Sequence, residues 1–148
     1  MVYRLLNKSI IDNVSSKLKI FVRNKYSDYI VYVYLFGSII EERATRESDI
    51  DIAIRFYDHV SRGERWRIIK ELLSMIDEDI DIVDLGRASP VLRMVVYSRG
   101  KLVYCRDRWI LFLDQNRTVK QYNDYLYIAK PYYKKMVEYL EKRTVKKI

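Results

Sequence analysis

Residues 48–56 read Ser-Asp-Ile-Asp-Ile-Ala-Ile-Arg-Phe. Isoleucine at every second position marks a strand with one apolar face, so Asp49, Asp51 and Ala53 share the opposite face. Two carboxylates projecting side by side repel each other and resist desolvation. A divalent cation removes both costs, and hard oxygen ligands suit magnesium. This stretch therefore calls for a sheet with a polar, metal-binding patch on one face.

The residues before it supply a companion feature. Tyr29 to Phe36 is a β-branched and aromatic run that reads as a buried strand. Gly37 ends it, and a glycine lets the backbone turn sharply and approach a ligand closely. Ser38 offers a hydroxyl and an amide to an anion. A third carboxylate is needed for a two-metal site. The run Asp79-Ile80-Asp81-Ile82-Val83-Asp84-Leu85 supplies candidates. Asp79 and Asp81 share one face and Asp84 lies on the other. Asp81 is the choice, being deeper in the apolar run than Asp79, with Asp84 in reserve.

These residues carry a family resemblance. Gly37-Ser38, ten intervening residues and Asp49-x-Asp51 fit the GSx10DxD signature. In this the chain resembles the minimal nucleotidyltransferases of the DNA polymerase beta superfamily. The segment IDIVDLGRASPVLRMVVYSRGKLVYCRD is similar to the family's usual continuation. The resemblance implies catalytic, metal-binding Asp49, Asp51 and Asp81, two magnesium ions, and ATP as substrate held at Gly37 and Ser38. Ile40-Glu41-Glu42 stands where many relatives carry Ala-Arg-Gly, leaving Arg43 or Arg46 to supply the positive charge. Small stand-alone proteins of this kind are commonly encoded with a HEPN-domain toxin. By resemblance, this chain is the antitoxin that transfers AMP to a tyrosine of that ribonuclease. Alternatives are a catalytically weak protein that neutralises the HEPN partner by binding alone, a nucleotidyltransferase for another acceptor, and a basic RNA-binding protein. Direct nucleic-acid binding is not expected.

The fold expected is α/β (α+β): a small mixed β-sheet with helices packed on it and a C-terminal helical extension. The 148 residues suffice for one domain, with a core over about 1–105 and C-terminal helices over about 107–145. The spacing predicts a helix over 9–22 with Ile10, Ile11, Val14, Leu18, Phe21 and Val22 inward. Ser9 and Asp12 resemble a capping box at its start. Residues 24–29 read as a loop, and the polar linker 38–48 has room for one helical turn facing the phosphates. A second helix spans 62–76 with Trp66, Ile69, Leu72, Leu73 and Ile76 inward. A third starts at Ser89-Pro90, turns Val91, Leu92 and Val95 to the core, and stops at Gly100. A strand over 101–105 follows. His59 reads as a solvated loop residue, and Cys105 as a buried apolar residue rather than a nucleophile.

A helix over 108–129 carries Trp109, Phe112, Leu113, Val119, Tyr122 and Leu126 in a stripe. Pro131 then kinks it or starts another, with Met136, Val137 and Leu140 continuing the stripe. Tyr122, Tyr125, Tyr127, Tyr132, Tyr133 and Tyr139 are too many for one core face. They read either as a partner surface or as half-buried cover over the sheet. The tail over 142–147 reads as frayed.

The net charge of +8 suits an anionic ligand or an acidic partner. No apolar run is long enough to span a bilayer, and the N-terminus has no signal-peptide pattern. The single cysteine rules out an internal disulfide. The cytosol is the compartment expected.

Overall fold

The computed structural model describes residues 2–41 and 50–145. Among the described residues four α-helices and four strands follow in the order α1 (Val2–Phe21), β1 (Ile30–Phe36), β2 (Ile50–Phe56), α2 (Arg62–Met75), β3 (Ile80–Asp84), α3 (Pro90–Arg99), β4 (Lys101–Cys105) and α4 (Arg108–Val145). The strands form one sheet in the order β3-β2-β1-β4. β1 runs antiparallel to both β2 and β4, while β2 and β3 run parallel, so the sheet is mixed as expected. None of the described helices is long and apolar enough to cross a membrane.

The sheet has two covered faces. Val33, Leu35, Ile50, Ile52 and Ile54 pack with Val14, Leu18 and Phe21 of α1 and with Ile68 and Leu72 of α2. Tyr32, Tyr34, Phe36 and Ala53 pack on the other side with Val96 of α3 and Leu111 of α4. The isoleucine alternation in β2 thus assigns α1 and α2 to one face. The acidic positions fall on the α3 and α4 face.

Local signals account for the helix starts. Ser61 and Glu64 form a capping box before α2, with the Ser61 hydroxyl accepting from the Glu64 amide at 3.2 Å and the Glu64 carboxylate accepting from the Ser61 amide at 3.0 Å. Ser89 caps α3, its hydroxyl accepting from the Leu92 amide at 3.2 Å, with Pro90 in the first turn.

Several expected helix faces are corrected. α1 begins at Val2, so Ser9 lies inside the helix and no capping box forms there. Residues 2–8 contain no glycine or proline to hold the helix off. The helix also runs on through a π-helical turn, Val22–Tyr26, into residues expected as loop, because Val22 and Tyr26 are both buried under the sheet. In α2, Ile68 and Leu72 are buried, while Trp66 and Leu73 lie exposed. The Lys70 ammonium lies over the Trp66 ring and covers part of it. In α3 the buried residue is Val96, and Val91 is exposed.

α4 departs furthest. It is one helix of 38 residues that continues through Pro131. Its packed face is Leu111, Asp114 and Thr118, all buried, while Trp109, Phe112, Leu113, Val119 and Leu126 are exposed. The packed face is chosen by a buried polar cluster and not by the apolar stripe. The Asp114 carboxylate accepts from the Tyr32 hydroxyl at 2.7 Å and from Arg55 Nε at 2.9 Å. The Tyr97 and Tyr32 hydroxyls lie 2.7 Å apart.

Candidate active site

β1 leaves the sheet at Gly37, whose φ is +99°. An L-residue is strained there whatever the space available. The space is also taken: a Cβ on Gly37 would collide with the Asp51 carboxylate, whose Cγ lies 3.2 Å from that position. The glycine thus lets the Asp51 side chain lie directly against the turn. Register explains the meeting, since Phe36 and Asp51 are paired across β1 and β2. Beyond Gly37 the chain starts a turn in which the Ile40 and Glu41 amides both donate to the Gly37 carbonyl at 3.2 Å. The first amides of such a turn, those of Ser38 and Ile39, are the ones its geometry leaves without an internal acceptor.

β3 brings the next carboxylate. Asp51 and Asp81 are register partners in the parallel pair, and adjacent strands lie about 4.8 Å apart. By strand alternation both side chains leave the α3 and α4 face. Asp51 is half-buried and Asp81 exposed. Asp79 precedes β3, and its carbonyl accepts from the Ile50 amide at 3.3 Å. Asp84 belongs to the other face. Its carboxylate accepts from Arg65 at 3.0 Å and from the Gly86 amide at 3.2 Å, closing the turn Leu85–Arg87. Structural duty thus occupies Asp84, while Asp81 shares a row with Asp51.

Asp49, Arg43 and Arg46 lie outside the described residues, as does the expected helical turn of the linker. Among the described residues no three acidic, histidine or cysteine side chains form a metal-holding group. Asp51 and Asp81 provide two adjacent oxygen donor groups of the kind magnesium takes. Glu41, one of the acidic departures near the turn, pairs with Arg99 at the end of α3 at 3.3 Å, which offsets its charge.

His59 stacks on Tyr57 in the loop after β2. Cys105 is half-buried, and burial pushes its thiol up from the usual range, so it is a poor nucleophile. The sequence reading missed a cluster at the far end of β2, where Arg55, Arg93 and Arg117 meet Tyr97 and Asp114. Its signal was present as Arg55, on the same strand face as Asp51, and as Asp114, a charged residue amid the apolar positions of α4.

A glycine turn against paired strand carboxylates defines a class. The family described as Polymerase beta, Nucleotidyltransferase matches residues 16–109, and the chain belongs to that family. More particularly, the protein adenylyltransferase MntA of Shewanella oneidensis is 42% identical over 72 residues, which are 49% of this chain and 52% of that protein. The chain thus spans about half the length of this curated relative. Among solved structures, a toxin–antitoxin crystal structure with AMP-PNP contains a chain of TM-score 0.69 and 28% identity, with 83% of this chain and 98% of that chain covered. A structure of tri-AMPylated Shewanella oneidensis HEPN toxin with MNT antitoxin gives a TM-score of 0.66 at 26% identity, covering 85% and 98%.

Proposed function

We propose that this chain is a magnesium-dependent nucleotidyltransferase that takes ATP and transfers AMP to a tyrosine of a cognate HEPN ribonuclease toxin, acting as its antitoxin in the cytosol. The observation that carries this reading is the Asp51–Asp81 row directly beside the positive-φ turn at Gly37. MntA is named as a protein adenylyltransferase, and the related complex holds an AMPylated HEPN toxin.

In this reading the turn at Gly37 and Ser38 holds the β- and γ-phosphates, with Arg43 and Arg46 adding positive charge. Asp49, Asp51 and Asp81 would hold the two metal ions. Magnesium, when bound, would neutralise phosphate charge and lower the pKa of the attacking hydroxyl. Asp81, the more open of the two described carboxylates, accepts the hydroxyl proton. The tyrosine oxygen bonds to the α-phosphorus as the bond to pyrophosphate breaks, in line. Positioning and charge neutralisation supply most of the rate.

The acceptor comes from the partner. α4 exposes Trp109, Tyr125, Tyr127, Tyr132, Tyr133 and Tyr139, residue types that anchor protein interfaces. We assign the exposed aromatic length of α4 to the HEPN partner. The same length favours a second reading, neutralisation by binding alone, because a binder needs α4 and no carboxylates. Incubation with labelled ATP, magnesium and the HEPN protein separates the two. Label on a partner tyrosine, lost in Asp51→Asn, is the expected result. A stable complex that never takes label would leave only the binder.

A further inference from the structure

A polar hollow lies at the opposite end of β2 from the Gly37 turn. It has a volume of about 240 Å³, and four arginines line it: Arg55 from β2, Arg65 from α2, Arg93 from α3 and Arg117 from α4. Arg55 and Asp51 are four residues apart on one strand face, which is about 13 Å. The hollow therefore stands apart from the carboxylate row.

Its charges divide into two pairs. Arg55 is bound to Asp114 at 2.9 Å and to Asp58 at 3.1 Å, and Arg65 to Asp84 at 3.0 Å. Arg93 and Arg117 have no carboxylate within ion-pair distance among the described residues. Arg93 donates through Nη2 to the Gln121 side chain at 2.6 Å, but its Nε is buried without a hydrogen-bond partner. A buried donor left unmade is costly, and two unmatched guanidiniums facing one hollow raise that cost. A multidentate acceptor of negative charge in the hollow offsets the unmatched guanidinium charge.

The walls are preorganised for it. Asp114 ties Arg55 to the Tyr32 and Tyr97 hydroxyl pair, so four elements, β1, β2, α3 and α4, are cross-braced around the opening. Asp58 and Asp114 also line the hollow, but both oxygens that engage Arg55 are committed to it, and Asp58 is otherwise turned to solvent. The volume exceeds what a bare phosphate fills and leaves room for its ester substituent.

We infer that this hollow is an anion site for a small phosphate-bearing ligand, gripped by Arg93 and Arg117 and separate from the carboxylate row. The test is isothermal titration of the full chain, in low-salt buffer with EDTA, using AMP and inorganic phosphate as separate probes. Saturable one-to-one binding of either probe is expected, equally in the wild type and in Asp51→Asn. Arg93→Gln/Arg117→Gln should bind at least tenfold more weakly. Arg117→Glu, at an exposed position that does not endanger folding, should show the same loss. Binding by AMP alone would identify a nucleotide site, and equal binding by phosphate a site that reads the phosphate only. The inference falls if neither probe saturates the wild type or if both arginine variants bind as the wild type does. It falls equally if Asp51→Asn abolishes binding, or if the charge-matched Lys120→Gln/Lys130→Gln loses as much as the arginine pair.

Discussion

At the scale of single residues, Gly37 and Asp51 are one unit. Gly37→Ala forces an L-residue to φ +99° and drives a methyl into the Asp51 carboxylate. The strain alone is worth about 1–3 kcal/mol. The expected outcome is a lower melting temperature together with a loss of the proposed AMP transfer of at least a hundredfold, read by thermal melts and label transfer. Asp51→Asn should behave oppositely on stability. Asp51 and Asp81 are register partners on one strand face, so removing one of the two like charges relieves repulsion in the metal-free protein. In EDTA the Asn variant should melt at or above the wild type. Added magnesium should raise the melting temperature of the wild type only, because binding to the folded state alone is stabilising. An equal magnesium shift in both proteins would mean that Asp51 holds no metal. These residues were legible in the sequence because their signals are local: a glycine at a strand end, and acids at a period of two. The row shared by Asp51 and Asp81 is a matter of register, which depth in an apolar run indicates only indirectly. Asp84 illustrates the limit, since its ion pair with Arg65 joins residues far apart in the chain.

At the scale of elements, strands and helix caps follow from near neighbours, while helix faces depend on what arrives from elsewhere. Counting apolar residues on α4 selects Trp109, Phe112 and Leu113, yet the sheet holds the face of Leu111, Asp114 and Thr118. Arg55 and Tyr32 offered Asp114 partners that no window of α4 contains. This pair predicts a contrast. Asp114 and Arg55 have side chains only 10% and 13% exposed, and removing one partner leaves a charge buried. Asp114→Ala should cost about 3–5 kcal/mol in urea unfolding. Replacing Arg106, whose ion pair with exposed Asp28 stands in solvent, by alanine should cost far less than that. The same layer sets an alkaline limit. Burial pushes the Tyr32, Tyr34 and Tyr97 phenols above the ordinary value near 10.0. Between that value and the raised folded ones, the native state keeps protons that the unfolded chain releases. Their contribution is complete below about pH 10 and declines as pH rises further. Phenolate absorbance at 295 nm should therefore appear for these residues together with loss of circular dichroism, and not before it.

At the scale of the whole molecule, α4 does two jobs with different residues. Its first part closes the sheet, and the rest presents Tyr125, Leu126, Tyr127, Ile128, Tyr132, Tyr133, Met136, Tyr139 and Leu140 to solvent. Lone apolar residues on a surface need no explanation, but a run of this extent along one helix does. These side chains contribute little to the isolated fold, so their replacement should separate stability from assembly. Tyr132→Ala/Tyr133→Ala should change the unfolding free energy of the isolated chain by no more than about 0.5 kcal/mol per site. Buried aromatic anchors in an interface are worth about 2 kcal/mol or more each, so binding to the proposed HEPN partner should weaken at least thirtyfold. Titration calorimetry with the two purified proteins measures the second quantity, and urea unfolding the first. Transfer to a free tyrosyl peptide at saturating concentration should stay unchanged in this variant, because the carboxylate row is untouched. Unchanged affinity for the folded partner would mean that the HEPN protein docks elsewhere, and the exposed length of α4 would then belong to another assembly.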